Sequence, residues 1–266
     1  MSLPGIDLGR LFDVRGKSAI VVGATGAFGK VACATLGAAG ARLTIAAGNA
    51  GDLAALAAEL GQRNIETHTV ADRPNTEAGA ESIVAGAIAA HGGVDILVIA
   101  SGMNDVSPIV DMAPERFDRV MQANVNGAWL IARAVGRQMI AQNRGGKVVF
   151  TSSARGKLGH PGGYSAYCAS KSAVDGMTKA LGCEWGRYRI TVNAIAPTVF
   201  RSPLTAWMFE DNENANKTRA GFLARVPIGR LGEPEDLAGP LLFLCSPASD
   251  FHTGHIVYAD GGYTAG

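Results

Sequence analysis

Short apolar runs rich in β-branched residues alternate along the chain with longer Ala-rich stretches of helical periodicity. The runs are short and mostly closed by Gly, Ser or Asp, which predicts buried strands. Seven strands are predicted at 18–23, 41–47, 65–72, 94–102, 147–153, 189–197 and 255–262. Continuous apolar runs, rather than a strict apolar–polar alternation, are typical of parallel strands that are covered on both faces.

The stretches between these strands predict helices at 28–40, 51–61, 77–93, 114–146, 164–186 and 232–246. Strict alternation of strands and helices requires right-handed crossovers. It predicts an α/β fold, a Rossmann-like doubly wound parallel sheet of about seven strands in a single domain over 1–266. The segment 201–230 has no clear period, and in a compact domain so long a segment is usually a lid or a binding loop.

Composition and charge narrow the possible partners. The 266 residues are 47% hydrophobic and 18% charged, which is ample for a large buried core, and the formal net charge is +1. No basic excess attracts nucleic acid or an anionic membrane. No apolar run reaches the roughly 18 residues of a membrane span, and the stretch 1–17 lacks the layout of a secretory signal.

The cysteines and histidines point to a reducing compartment and to no metal. Cys33, Cys168, Cys183 and Cys245 lack C-x-x-C spacing and do not cluster, so we expect reduced thiols and a cytoplasmic location. The five His residues include no H-x-x-x-H pair, so a metal site is not expected.

The stretch VVGATGAFGKV at 21–31 joins the first predicted strand to the first helix. Its glycines fit G-x-x-G-x-x-G through Gly23, Gly26 and Gly29, or G-x-x-x-G-x-G with Ala27 in place of the middle glycine. In either pattern the bare backbone can approach a pyrophosphate, and the helix N-terminus offers it N–H groups. Because the loop lies in the first β-α unit, it predicts a dinucleotide site.

The end of the second strand does not decide between NAD and NADP. An acid there would hold the adenosine ribose, and a following Arg would hold a 2′-phosphate, but the chain has Ala47 and Gly48. A 2′-phosphate that lacks a cationic partner loses more binding free energy than a ribose that lacks one hydrogen bond. The absence of both partners therefore slightly favours NAD. Backbone N–H groups at Gly48 and Asn49 could still hold a phosphate.

The run YCASK places Tyr167 and Lys171 on one face of a predicted helix. The charge of Lys171 would lower the pKa of Tyr167, and a phenol tuned in this way can exchange a proton with an alcohol. Ser153 ends the fifth strand, at the sheet edge where ligands bind, and Asn124 is a poor helix former within the longest helix. Each residue alone has a structural explanation, but their joint placement favours a catalytic site.

With these residues the chain resembles the short-chain dehydrogenase/reductase family over nearly all of its length. The family's Asn-Ser-Tyr-Lys tetrad maps onto Asn124, Ser153, Tyr167 and Lys171. The chain ends soon after its seventh strand with a D-G-G run at 260–262, as the shorter single-domain members do, which favours the G-x-x-x-G-x-G interpretation. The resemblance implies cofactor contacts from Gly23, Thr25, Gly26, Phe28, Gly29, Asn49, Asp72, Gly102, Tyr167, Lys171, Pro197, Thr198, Val199 and Ser202.

The reaction implied by the resemblance is reversible hydride transfer between NAD or NADP and a secondary alcohol or ketone. Tyr167 would exchange the hydroxyl proton, and Lys171 would hold the ribose and tune Tyr167. Ser153 would orient the substrate oxygen, and Asn124 would hold a water that relays protons. The resemblance further implies a homotetramer. Substrate contacts are expected from Met103, Arg155, His160, Tyr164 and Trp207.

Several alternatives stay open at the level of sequence. Trp207, Met208, Phe209 and Phe222 form an apolar wall over the substrate or pack the lid onto the body. The substrate could be a 3-oxoacyl group, although no clear basic patch for a carrier protein is visible. The protein could also be a catalytically silent NAD(P)-binding sensor, or a dehydratase or epimerase of the longer type, which the missing C-terminal domain disfavours.

Overall fold

Seven parallel strands build the core of the computed structural model, which describes residues 5–266. They are β1 Ser18–Val22, β2 Arg42–Ala46, β3 Thr67–Val70, β4 Ile96–Ile99, β5 Gly146–Thr151, β6 Ile190–Pro197 and β7 Ile256–Ala259. Their order in the sheet is β3-β2-β1-β4-β5-β6-β7. The order reverses between β1 and β4, and a parallel sheet binds ligands beyond the carboxyl ends of its strands at such a point. The predicted doubly wound α/β sheet is confirmed.

Helices cover both faces of this sheet. The described residues form α1 Leu8–Leu11, α2 Ala27–Ala38, α3 Ala50–Gly61, α4 Glu77–His91, α5 Pro114–Met121, α6 Gly127–Gln142, α7 Ala154–Lys157, α8 Ser165–Trp185, α9 Glu213–Leu223 and α10 Glu235–Cys245. Helices α2, α3 and α10 pack on one face, and α4, α6 and α8 on the other. Residues of β1 alternate between these two faces. Ala19 and Val21 pack in the core with α2, α3 and α10, and Ile20 and Val22 pack in the core with α4, α6 and α8. Double coverage explains why the inner strands are apolar throughout.

The helix expected over 114–146 is interrupted, so this part of the prediction is wrong. A π-helical turn, Gln122–Asn126, separates α5 from α6, and α6 ends at Asn143, whose φ of 51° is left-handed. Asn is a poor residue for a helix interior, and π turns are common at functional sites. The turn therefore marks Asn124 as a residue with a role other than helix formation.

The segment 201–230 contains regular structure that the sequence pattern did not predict. A 3₁₀-helix, Ala206–Phe209, precedes α9. The side chain of Asn212 caps α9 by accepting a hydrogen bond from the Ala215 N–H at 2.9 Å. Within α9, Ala215 is the buried residue, so the helix has no apolar stripe that periodicity could reveal.

Two further expectations concern location. None of the helices in residues 5–266 combines the length and the apolar character needed to cross a membrane. All four cysteines carry free thiols. Residues 1–4, part of the stretch in which no secretory signal is expected, lie outside the described residues.

Candidate active site

The glycine loop turns sharply from β1 into α2. Gly23 has a φ of +75°, and a Cβ there would lie 2.5 Å from the backbone nitrogen of Ser101. A Cβ on Gly29 would collide with the carbonyl oxygen of Gly23. Ala27 is the first residue of α2, and no side chain caps the helix at Gly26. The first-turn N–H groups are therefore left for an anion such as a phosphate.

A cavity of about 320 Å³ opens beside this loop, where β1, β2 and β4 end. Ser101 lines it, and its buried hydroxyl has no hydrogen-bond partner within residues 5–266. Both features fit a dinucleotide. Its ribose and phosphate oxygens can bond to the Ser101 hydroxyl, and the loop without room for a Cβ lets the backbone come close to the phosphates. Predicted cofactor or substrate residues that line the cavity are Gly23, Thr25, Gly26, Asn49, Asp72, Gly102 and Met103.

The same cavity contains a cation that sequence reasoning missed. Arg73 follows β3, and its side chain lies directly over Gly48 at the end of β2, where a Cβ would be 2.8 Å from the Arg73 Cδ and Cζ. The Asp72 carboxylate accepts the backbone N–H of Arg73 at 2.7 Å. No acidic side chain of residues 5–266 pairs with the guanidinium. The adjacency of β2 and β3 was the signal that could have located Arg73.

The next cluster joins α8 to the end of β5. Tyr167 and Lys171 lie one turn apart, with the Lys171 Nζ 5.6 Å from the Tyr167 ring centroid. Lys171 donates a hydrogen bond to the Thr151 carbonyl at 2.7 Å. The Ser153 side chain lies near enough to the Tyr167 hydroxyl to lower the pKa of the tyrosine, and the Ser153 Oγ accepts the backbone N–H of Arg155 at 3.2 Å. The structure therefore brings Ser153, Tyr167 and Lys171 together, and Ser153 caps α7 as well.

Burial controls the titration of this cluster. Desolvation raises the pKa of Tyr167, and the nearby Ser153 side chain opposes the rise. Desolvation also lowers the pKa of Lys171 to about 8, against the charge of Asp175. The expected lowering of the Tyr167 pKa by Lys171 is not found, because the loss of hydration outweighs the nearby charges.

Asn124 is buried in the π turn and uses its amide to hold the loop after β4. Its Oδ1 accepts the Met103 N–H at 2.7 Å, and its Nδ2 donates to the Met103 carbonyl at 2.8 Å and the Ser170 Oγ at 2.9 Å. A Cβ on Gly102 would sit 3.3 Å from Asn124 Oδ1 and 3.6 Å from Lys171 Nζ. The glycine thus leaves a gap between these two polar atoms.

The predicted substrate residues lie at different depths. The Tyr164 ring is 6.5 Å from the Tyr167 ring and 4.5 Å from the exposed His160 ring, so Tyr164 links the His160 loop to Tyr167. Arg155 is half-buried two residues after Ser153. Trp207 is 42% exposed on its 3₁₀-helix, and its neighbour Met208 is the buried residue there.

Five further predicted cofactor residues, Phe28, Pro197, Thr198, Val199 and Ser202, do not line the dinucleotide cavity. Phe28 is buried in the core between α2 and the sheet. Thr198 and Val199 line a second cavity of about 360 Å³ beyond β6 and β7. Ser202 bonds to the Thr205 hydroxyl at 2.9 Å. Pro197 is buried at the end of β6, and its contact with a cofactor stays a prediction.

Comparison with known proteins shows the family to which the chain belongs. Residues 23–264 match the family described as Enoyl-(Acyl carrier protein) reductase. The chain belongs to the short-chain dehydrogenase/reductase family, and it is an NAD(P)-dependent oxidoreductase that acts on CH–OH groups. It transfers a hydride between NAD(P) and a secondary alcohol or ketone.

Three relatives indicate the range of this group. An uncharacterized oxidoreductase of Mycobacterium tuberculosis is 49% identical over 263 residues, covering 99% of this chain and 96% of that protein. A galactitol 2-dehydrogenase (L-tagatose-forming) of Cereibacter sphaeroides is 35% identical, covering 97% and 99%. A gluconate 5-dehydrogenase from Burkholderia cenocepacia, crystallised with NADP and tartrate, is 28% identical with a TM-score of 0.89, covering 98% and 100%.

Proposed function

We propose that this protein oxidises a secondary alcohol of a polyhydroxy compound, and reduces the matching ketone, with NADP(H) preferred over NAD(H). The observation that carries the proposal is the meeting of Ser153, Tyr167 and Lys171 with the dinucleotide cavity at one edge of the sheet. Two relatives named for polyol and sugar-acid oxidation support the substrate class. The nicotinamide accepts or supplies the hydride when bound.

Tyr167 is the group that exchanges the proton of the substrate oxygen. Because its pKa is raised, the phenol keeps its proton at neutral pH and is a competent donor for ketone reduction. The Ser153 hydroxyl, close to Tyr167, orients the substrate oxygen between the two side chains. Both groups are fixed by packing, Ser153 at the start of α7 and Tyr167 on α8, so little orientational freedom is lost on binding.

Lys171 and Asn124 assist this proton transfer by holding the cofactor ribose and a water molecule. One N–H of the Lys171 ammonium is used by Thr151, which leaves two for the cofactor ribose and a water. We place that water in the gap beside Gly102, between Lys171 Nζ and the free lone pair of Asn124 Oδ1. The Asn124 Nδ2 protons are both used, so the amide acts there only as an acceptor.

The preference for NADP rests on Arg73. Its unpaired guanidinium stands over Gly48, where a ribose 2′-phosphate is expected at the end of β2. The N-terminus of α3 adds a partial positive charge. The Asn49 side chain caps α3 by accepting the Asp52 N–H at 3.1 Å, so it orients this helix N-terminus toward the cavity. The sequence pattern favoured NAD because it showed no cation for a 2′-phosphate. Arg73 supplies that cation.

A pH profile tests the reaction and the role of Lys171 together. NADPH-dependent reduction of a ketose or keto sugar acid is expected to fall as the pH passes about 8, because Lys171 is charged below that value and neutral above it. Lys171→Arg, which keeps its charge, should move this limb upward. The measurement is kcat/KM from the nicotinamide absorbance. If the pH at which kcat/KM falls is the same in the variant, another group is responsible for the titration. Tight NADPH binding without turnover of any ketone or alcohol would instead favour a catalytically silent NAD(P)-binding sensor.

We further propose a homotetramer. Trp129 on α6 is 49% exposed and Phe117 on α5 is 39% exposed, and β7 is a half-exposed sheet edge with apolar residues. These surfaces lie on different sides of the sheet and so supply two separate interfaces. Light scattering should give about four times the 27.4 kDa chain mass, and Trp129→Glu should reduce it. A monomeric wild-type protein would exclude this assembly.

We propose a cytoplasmic location and a lid role for 201–230. The free thiols, two of them buried, suit a reducing compartment. The buried Met208 anchors one end of the segment and Val226 the other, while the residues between them are mostly exposed. Cell fractionation tests the location, and protection of 201–230 from proteolysis by cofactor with substrate tests the lid.

A further inference from the structure

Two arginines flank one buried tyrosine beside the catalytic cluster. Tyr263, near the C-terminus, is 4% exposed. The Arg155 Cζ lies 5.5 Å from its ring centroid and the Arg225 Cζ 4.7 Å. Arg155 also donates a hydrogen bond to the Tyr263 hydroxyl at 3.0 Å. Two guanidinium groups from distant parts of the chain thus contact the same tyrosine side chain.

Neither guanidinium has an acidic partner within the described part of the chain. Arg155 donates to neutral acceptors, the Tyr263 hydroxyl and the Gly159 carbonyl at 3.0 Å. The Arg225 side chain contacts the Tyr263 ring and makes no hydrogen bond to any of residues 5–266. In a chain whose formal net charge is only +1, two uncompensated cations at one place are a local feature that favours an anionic ligand.

A small core holds both arginines in position. Ala154, Val226 and Tyr263 are buried together, and Phe222 stacks on Tyr263 with ring centroids 5.0 Å apart. Ala154 precedes Arg155 and Val226 follows Arg225. The arginines are therefore attached to two sides of a packed cluster, one on the turn after Ser153 and the other at the end of the proposed lid.

The pair also lies within reach of the reacting groups. The Arg155 backbone N–H bonds to Ser153. The pKa of His160 is lowered by burial and by the charges of Arg155 and Arg225, so both cations face the loop that carries His160. The His160 ring contacts Tyr164, which neighbours Tyr167. The charge of Arg155 also acts on Tyr167, where it lowers the pKa against the larger effect of burial, so a substrate with its alcohol at Tyr167 can present an anionic end to the arginines.

We propose that Arg155 and Arg225 bind a carboxylate, so that the substrate is a polyhydroxy acid of the aldonate type, or its keto acid, rather than a neutral polyol. This rests on the proposed function. The planar guanidinium fork matches two carboxylate oxygens. In the oxidation, the hydrogen of the carbinol C–H bond would leave with its electron pair as hydride to oxidised NADP, the hydroxyl proton would go to Tyr167 in its phenolate form, a C=O bond would form, and the carboxylate would be unchanged.

D-Gluconate and D-sorbitol provide the test because they share six carbons and differ at one end, a carboxylate against a hydroxymethyl group. The wild-type protein with NADP should show a kcat/KM for gluconate that is at least about tenfold above that for sorbitol. Arg225→Gln should lower this ratio by on the order of tenfold, through KM rather than kcat. Arg155→Gln should act in the same direction. Arg10→Gln removes an exposed cation of α1 and should leave the ratio unchanged.

Two results would overturn the carboxylate site: a wild-type ratio near one, or an Arg225→Gln ratio equal to wild type. Calorimetry with D-gluconate and the NADPH-loaded protein decides the case without turnover, because the alcohol and the reduced cofactor cannot exchange a hydride. Binding that weakens on the order of tenfold in Arg225→Gln supports the site, whereas equal binding in both proteins, or none, removes it. Lack of turnover with every alcohol counts against the proposed function, while the calorimetric comparison judges the carboxylate site.

Discussion

Replacing Tyr167 with Phe is expected to lower kcat by about three orders of magnitude while changing the affinity for NADPH by less than about twofold. The change removes one hydroxyl, and with it the proton that the substrate oxygen gains or loses. It keeps the ring, so the packing around Lys171, whose Nζ is 5.6 Å from the ring centroid, is largely retained. Steady-state turnover and a fluorescence titration with NADPH measure the two quantities on the same preparation.

Tyr188→Phe is the matched control, because Tyr188 lies in the 3₁₀-helix Gly186–Tyr188 beyond the C-terminal end of α8 and should tolerate the change. Turnover of Tyr167→Phe within about tenfold of wild type would assign the proton to another group, for which the neighbouring Ser153 is a candidate. Loss of both turnover and NADPH binding would instead indicate a disrupted fold, which circular dichroism would reveal.

Replacing Arg73 with Ala is expected to weaken NADPH binding by on the order of 30- to 100-fold and to leave NADH binding within about twofold. The two cofactors differ only by the 2′-phosphate, so a cation that contacts this group affects one of them. Arg73 has no ion pair to lose within residues 5–266, so its removal breaks little native structure. Separate fluorescence titrations with NADPH and NADH give the two dissociation constants.

Arg63→Ala is the control for net charge, because Arg63 is exposed just after α3 and pairs with Glu59. Ala47→Asp provides a second variant, since a carboxylate at the end of β2 repels a 2′-phosphate and can accept ribose hydroxyls. It should shift the preference toward NADH. Equal losses of NADPH and NADH affinity in Arg73→Ala would mean that the guanidinium does not contact the 2′-phosphate. A wild-type preference for NADH would support the cofactor that the sequence pattern slightly favoured.

The sequence alone determined the features that depend on short spacings. Continuous apolar strands alternating with helices could only form a parallel sheet covered on both faces, which the strand order confirms. The four-residue spacing of Tyr167 and Lys171 put them on one face of α8, and the end of β5 put Ser153 at the carboxyl edge. These placements follow from helix and strand geometry, so they need no knowledge of distant residues.

Tertiary structure decided what lies between elements distant in the chain. Arg73 follows β3 but stands over Gly48 after β2, because these strands are neighbours in the sheet. Arg155 and Arg225 meet on Tyr263 only because the segment 201–230 and the C-terminus pack on the turn after Ser153. The charge state of the catalytic pair is decided in the same way, since burial opposes ionisation of Tyr167 and Lys171 more strongly than their sequence neighbours favour it. Burial and long-range contact are properties of packing, and no local pattern of residues encodes them.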